Sequence, residues 1–268
     1  MPVKIVPLNG VIGAELLDLD LREVTDDLVA QVRAALVEHL VVFAPGQQLD
    51  DESQRAFAAA FGAPYIHPLA RVRPNPEWRA EHIVDDADHP PFQDQWHTDV
   101  TWDPAPPRFA VLRAIDLPER GGDTIWASTY AAYESLSPTM QEMVDGLSAF
   151  HDIGAATAFV SKAGAEVTAR AAELVPGAEH PVVRVHPDTG RKHLYVNRGF
   201  TRRIVGLEPD ESDTLLEILF RACEHPNVQI RHRWSPGDVA MWDELPTQHF
   251  ATADHFPRRR EMARITVA

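Results

Sequence analysis

Residues 94–102, Asp-Gln-Trp-His-Thr-Asp-Val-Thr-Trp, hold two potential metal ligands, His97 and Asp99, spaced two positions apart. The stretch 96–102 reads as a β-strand, rich in β-branched and aromatic residues. On a strand, positions i and i+2 project to the same face, so the imidazole and the carboxylate would share one cavity. His249 lies far along the chain as a third ligand, with Arg260 eleven residues beyond it. Two imidazoles and one carboxylate make a facial triad, which leaves open positions on Fe(II) for a cosubstrate and O2. Taken singly, each of these histidines reads as structural. The set of His97, Asp99, Thr124, His249, Arg260 and Arg264 carries the metal reading.

Outward from that stretch, strand signals dominate. Residues 108–116, Thr124-Ile-Trp-Ala, 228–234, 238–242 and 262–267 read as strands, and Asp188-Thr-Gly190 as a hairpin turn between 182–187 and 192–196. Toward the N-terminus, 3–7 and 15–19 are short strands. Thr25 can cap a helix to about Leu40 along an apolar stripe of Leu28, Val29, Val32, Leu36 and Val37. Val41-Val42-Phe43 is a buried strand, and Asp50 or Asp51 opens a helix ending near Phe61 at Gly62. Ser137-Pro138 starts a further helix, and Pro209 to about Glu224 is amphipathic. Residues 63–95 read as a long proline-rich connection and 154–178 as an Ala-rich stretch. The expectation is one domain over residues 1–268, with flaps at about 68–95 and 154–178. Its fold class is mainly β with flanking helices, a double-sheet jelly roll.

Charge narrows the partners. Twenty-five basic against 40 acidic side chains give a net charge of −15, which repels a phosphate backbone and argues against nucleic acid. An anionic ligand must then be met by a local basic cluster. No apolar run approaches the roughly 20 residues of a membrane span, so no membrane partner is expected. The single cysteine, Cys223, fits a small core residue in a reducing, cytoplasmic compartment.

Two segments carry a family resemblance. Residues 94–128, through Gly121-Gly122-Asp123-Thr124-Ile-Trp-Ala-Ser, resemble the taurine dioxygenase family of Fe(II)- and 2-oxoglutarate-dependent enzymes. So do residues 235–264, with Ser-Pro-Gly-Asp-Val-Ala-Met-Trp-Asp, Thr247-Gln-His-Phe-Ala and Arg260-Glu-Met-Ala-Arg264. Weaker similarity runs through the rest, including Phe61-Gly-Ala-Pro-Tyr-Ile-His67-Pro. The resemblance implies a distorted double-stranded β-helix, in line with the all-β reading, and a homo-oligomer, either dimer or tetramer. It makes His97, Asp99 and His249 the iron ligands, and Thr124 and Arg260 the partners of the distal carboxylate of 2-oxoglutarate. A planar guanidinium suits that carboxylate through two parallel hydrogen bonds.

For the substrate, the resemblance points to His67 and Gln93, and to Arg264 as the anchor of an anionic head. Arg260, Met262 and Arg264 alternate along a strand, which turns both arginines to one cavity. The sequence departs from the pattern at Ala70, where taurine dioxygenase has a tyrosine, and at Glu244-Leu245 in place of the usual Asn-Arg. A small residue at 70 opens the pocket. The expected substrate is therefore a sulfonate, an alkyl sulfate ester or an aryloxyalkanoate, hydroxylated at the carbon beside the heteroatom, with succinate and CO2 as coproducts. Three rivals are a biosynthetic hydroxylation or desaturation within the family, a zinc hydrolase on the same ligands, and a non-catalytic binding barrel. The hydrolase leaves Arg260 and Thr124 without a task, and the binding barrel has no use for three intact ligands.

Overall fold

The computed structural model describes residues 2–71, 75–153 and 176–268. The chain enters through two short antiparallel strands, β1 (Lys4–Pro7) and β2 (Ala14–Leu17). The Thr25 hydroxyl then accepts from the Leu28 amide and opens helix α1 (Asp26–His39), with Asp26 and Asp27 favourably placed in its first turn. Leu40, at φ 69°, ends the helix and turns the chain into β3 (Val41–Ala44). Asp50 caps α2 (Asp51–Ala59) in a reciprocal box with Ser53. The elements that follow are β4 (Glu81–Asp85), β5 (Phe109–Asp116), β6 (Thr124–Ser128), α3 (Thr129–Ser135), α4 (Pro138–Val144) and β7 (Ser148–His151). Then come β8 (Ala178–Pro181), β9 (Val183–Val185), β10 (Lys192–Leu194), β11 (Thr201–Ile204), α5 (Pro209–Cys223) and β12 (Gln229–His232). The chain closes with β13 (Val239–Asp243), β14 (Thr247–Ala251) and β15 (Arg260–Val267).

Seven strands form the major sheet in the order β1-β2-β3-β13-β5-β15-β4, and β12-β6-β14 form a smaller sheet. Side-chain alternation shows how the two are layered. On β3, Val42 and Ala44 join a core with Leu28, Val32 and Leu36 of α1 and Phe57 of α2, so one face of the major sheet is covered by helices. Val41 and Phe43 turn the other way, into a core with Trp242 of β13, Met262 of β15 and Trp126 of β6. The space between the sheets is therefore packed with large aromatic side chains, each stabilising the fold by about 2 kcal/mol when fully buried. β15 obeys the same alternation: Ile265 and Val267 face the helices, while Met262 faces the smaller sheet. Arg260 and Arg264 share the parity of Met262 and enter the inter-sheet space. A third core beneath α3 and α5 contains Leu216, Leu219 and Cys223, and burial pushes the Cys223 thiol up to about 12, which leaves it inert.

The mainly β architecture with flanking helices is as expected, and most of the expected elements lie within two residues of their observed bounds. Three differences matter for the site. The expected strand at 96–102 is a single antiparallel bridge, His97 to His249, followed by a turn in which Val100 has φ 58°. The 63–95 connection contains β4, an edge strand paired to β15 with Glu81 opposite Arg264 and Asp85 opposite Arg260. His249 sits on β14, an element that the hydrophobic pattern does not announce. The 154–178 flap expectation falls almost wholly outside the described residues. Among those described, no helix is long and apolar enough to cross a membrane.

Candidate active site

The β6–β14 ladder fixes one ligand and the bridge fixes another. His249 stands opposite Trp126, and Ala251 opposite Thr124, so these four residues share one face. His97 and His249 exchange backbone hydrogen bonds at 3.0 and 2.7 Å, which sets their rings side by side, tilted by 51° with centroids 4.2 Å apart. The turn after His97 brings Asp99 back beside them. The Asp99 carboxylate lies 3.6 Å from His97 Nε2 and 3.9 Å from His249 Nε2. One ligand atom from each of the three residues lies within 4.8 Å of the others, and all three are buried.

The donor set suits a divalent cation. His97 Nδ1 lies 2.8 Å from the Gln95 carbonyl, a bond that requires its proton there and leaves Nε2 bare. Burial holds His97 below the ordinary imidazole range and His249 well below it, so both rings are neutral and offer lone pairs. Burial would raise the Asp99 carboxyl, but the Arg264 guanidinium outweighs it and holds it ionised. With one buried cysteine in the chain, a thiolate zinc site has no donors. A second buried carboxyl, that of Glu244, lies beside the three. Its Oε2 accepts from the Asp99 amide at 3.2 Å, and burial, followed by the Asp99 charge, raises its pKa well above the carboxylate range. Glu244 thus lies against Asp99 as a neutral acid. The sequence marks it only as a departure from the usual asparagine.

Along the same face stands a second polar station. Two residue steps on β6 put Thr124 about 7 Å from Trp126 and the His249 row. The Thr124 hydroxyl accepts from Trp234 Nε1 at 3.0 Å and from Arg260 Nη2 at 3.4 Å, while Arg260 Nε donates to the Gly122 carbonyl at 2.9 Å. Arg260 is 3% exposed, and its nearest carboxylate oxygen, on Asp85, is 3.9 Å away. Burial lowers its pKa from the usual arginine value, though a guanidinium stays charged. A buried cation so loosely paired is built to receive an anion.

The third station is the mouth. Arg264 Nη1 donates to both Asp99 oxygens at 2.9 and 2.7 Å, and Nη2 to Glu81 at 3.0 Å. His67 Nδ1 accepts from the Leu69 amide at 3.2 Å, which caps the short turn Pro68–Ala70. In the neutral ring that bond leaves the proton on Nε2, and burial lowers His67 to about 4, so the ring stays a neutral donor near pH 7. His67, Gln93, His97, Asp99, Trp102, Phe200 and Arg264 line a narrow pocket of about 40 Å³. It adjoins a cleft of about 620 Å³ that shares His67, Phe92 and Arg264 and is bordered by Leu69, Ala70, Trp78, Glu81 and Ile83. The structure thus brings His97, Asp99 and His249 together, pairs Arg260 with Thr124, and groups His67, Gln93 and Arg264 around the mouth. Trp96 packs against Phe250 and Trp242 against His249, at ring distances of 5.7 and 5.1 Å.

Comparison with known proteins decides the lineage. The taurine catabolism dioxygenase TauD, TfdA family matches residues 4–266. The chain belongs to that family. It is a 2-oxoglutarate-dependent non-haem iron dioxygenase of the taurine dioxygenase type. Among its relatives, an alkylsulfatase of Acinetobacter baylyi is 37% identical, over 97% of this chain and 83% of its own length. An alpha-ketoglutarate-dependent sulfate ester dioxygenase of Pseudomonas putida is 36% identical, over 100% and 90%. The crystal structure of a taurine dioxygenase from Burkholderia xenovorans superposes with a TM-score of 0.82 at 37% identity, covering 100% of this chain and 91% of that one.

Proposed function

We propose that this dioxygenase hydroxylates a small organic anion, an alkyl sulfate ester or a related sulfonate or aryloxyalkanoate, at the carbon next to the heteroatom. The observation that carries the reading is the wide cleft that opens beside His67 and Arg264, with Ala70 rather than a bulky ring on its wall. An arginine at the inner end suits the anionic head, and Leu69, Trp78 and Ile83 suit an apolar body. Relatives named for sulfate esters share this chain over nearly its whole length.

In this reading His97, Asp99 and His249 hold Fe(II), and Arg260 and Thr124 hold the distal carboxylate of 2-oxoglutarate. Iron and 2-oxoglutarate, once bound, supply the oxidising chemistry, with O2 consumed and succinate and CO2 released as the substrate is hydroxylated. The chain's own residues place the reactants. His67 donates a hydrogen bond from a neutral ring and so adds no charge for the anion to neutralise. Gln93 presents an amide at the pocket wall. Trp102 and Phe200 keep water from the inner pocket, which strengthens every polar contact inside it. The free, buried Cys223 fits a cytoplasmic setting.

The test is succinate release by the purified protein with Fe(II), 2-oxoglutarate and O2 across a panel of sulfate esters, sulfonates and aryloxyalkanoates. One anion class should stimulate succinate formation well above the uncoupled background. A panel that leaves the background unchanged, with iron bound, overturns the reading.

A further inference from the structure

Arg264 is held from two sides, and the two partners differ in kind. Asp99 faces it from the inter-sheet interior, with a side chain 6% exposed, and takes both of its Nη1 contacts. Glu81 faces it from the cleft, with a side chain 48% exposed, through a single 3.0 Å contact to Nη2. Glu81 sits at the start of edge strand β4, in register with Arg264 on β15, so backbone pairing sets the contact. The guanidinium that the proposed reading assigns to the substrate's anionic head is therefore already capped, on the cleft side, by a carboxylate of the chain itself.

The exposures decide which partner yields. Asp99 is fixed by the buried imidazoles and by the Glu244 contact to its amide. Glu81 can rotate into the open cleft and regain water at little cost, since a half-exposed ion pair is weak. A sulfate head presents three oxygens to a planar donor fork and replaces the one contact it removes. A weaker or singly coordinating anion must displace the same carboxylate and gains less from Arg264.

We propose that Glu81 sets the affinity of the anion site: it competes with the anionic head of the substrate for Arg264, so every anion binds only by displacing a carboxylate of the chain. This rests on the reading of Arg264 as the substrate anchor. Removing the competing charge tightens binding of every anion, and by a similar factor, because each displaces the same carboxylate. A residue that merely supports Arg264 does the opposite, since its loss loosens the anchor and weakens binding.

The experiment compares wild type, Glu81→Gln and Glu81→Asp, with folding checked by circular dichroism. Hexyl sulfate and hexanoate serve as probes, measured by anaerobic calorimetry on protein loaded with Fe(II) and 2-oxoglutarate, and by initial rates in air. Glu81→Gln is expected to lower the Kd and KM of both hexyl sulfate and hexanoate about tenfold. Its kcat should stay within about twofold and its KM for 2-oxoglutarate should not change, and Glu81→Asp, which keeps the charge, should return the Kd of both probes toward wild type. Unchanged or weaker binding of both probes by Glu81→Gln overturns the proposal, as does no calorimetric binding to any variant. If no variant releases succinate while Glu81→Gln still binds hexyl sulfate more tightly, the oxygenase reading fails and the role of Glu81 stands.

Discussion

Gly122 passes directly beneath Arg260. A Cβ placed there would meet Arg260 Cδ at 2.9 Å and Nε at 3.1 Å, and the backbone sits at φ 75°, where a side chain is strained. Gly122→Ala is therefore expected to push the guanidinium off Thr124 and raise the KM for 2-oxoglutarate at least about tenfold, at a stability cost of about 1–3 kcal/mol. Steady-state kinetics on the folded variant check this, and an unchanged KM removes Arg260 from that role. Arg260→Lys keeps a charge but loses the fork, so a rise of about 100-fold is expected, equal to about 2.7 kcal/mol of lost binding. The grouping of His97 with Asp99 and His249, of Arg260 with Thr124, and of His67, Gln93 and Arg264 at one mouth was legible in the sequence through the family resemblance and the spacing of its motifs. Glu244 was legible only as an oddity: nothing in the sequence says that its side chain turns back onto the Asp99 amide.

At the scale of elements, the arginines of β15 depend on the helix behind them. Gln54 of α2 is fully buried, with Nε2 donating to the Val111 and Ala263 carbonyls at 3.1 and 2.9 Å, and Oε1 accepting from Arg113 at 3.0 Å. It stitches α2 to β5 and β15. Gln54→Ala strands those groups, and a loss of about 2–4 kcal/mol is expected in urea unfolding, with 2-oxoglutarate binding weakened as β15 loosens. A change under about 0.5 kcal/mol would contradict the stitching role. Helix caps were readable because Thr25, Asp50 and Ser137 act locally. β14 was not, because Thr247 and Gln248 are buried polar residues that break the apolar alternation. A local bond from Thr247 to the Asp243 carbonyl at 2.6 Å and a long-range one from Gln248 to the Val196 carbonyl at 2.5 Å make up for that. β4 has the charged ends of an edge strand and few apolar residues, and pairing with β15 rather than its own pattern defines it. The stretch at 96–102 has strand composition, yet Val100 at φ 58° turns it, so Asp99 reaches the imidazoles by a bend.

Across the whole molecule, buried histidines couple stability to pH. Burial lowers His151 and His193 to about 3 each, and His67 to about 4. These folded values lie below the unfolded value near 6.5, so the unfolded chain binds more protons as pH falls below that point. Their contribution is fully present above about pH 6.5 and is lost as pH falls from there toward 3. Each such histidine steepens the loss by about 1.4 kcal/mol per pH unit. Denaturant unfolding between pH 7 and 5 should show this decline, and the slope should shrink in His193→Gln. A stability independent of pH over that range would contradict the assignment of neutral, buried rings. At this scale the fold was legible as two β layers with helices outside, but the layering itself, with Trp126, Trp234 and Trp242 filling the gap, is a property of packing that no single stretch contains.

The claim beneath all of this is that His97, Asp99 and His249 together hold one Fe(II). Anaerobic calorimetric titration of Fe(II) into the metal-free protein, set beside Asp99→Ala and His249→Ala, tests it most directly. Wild type should bind one ion per chain, and each variant should lose at least about 100-fold in affinity. Iron held by either variant as tightly as by wild type would contradict it.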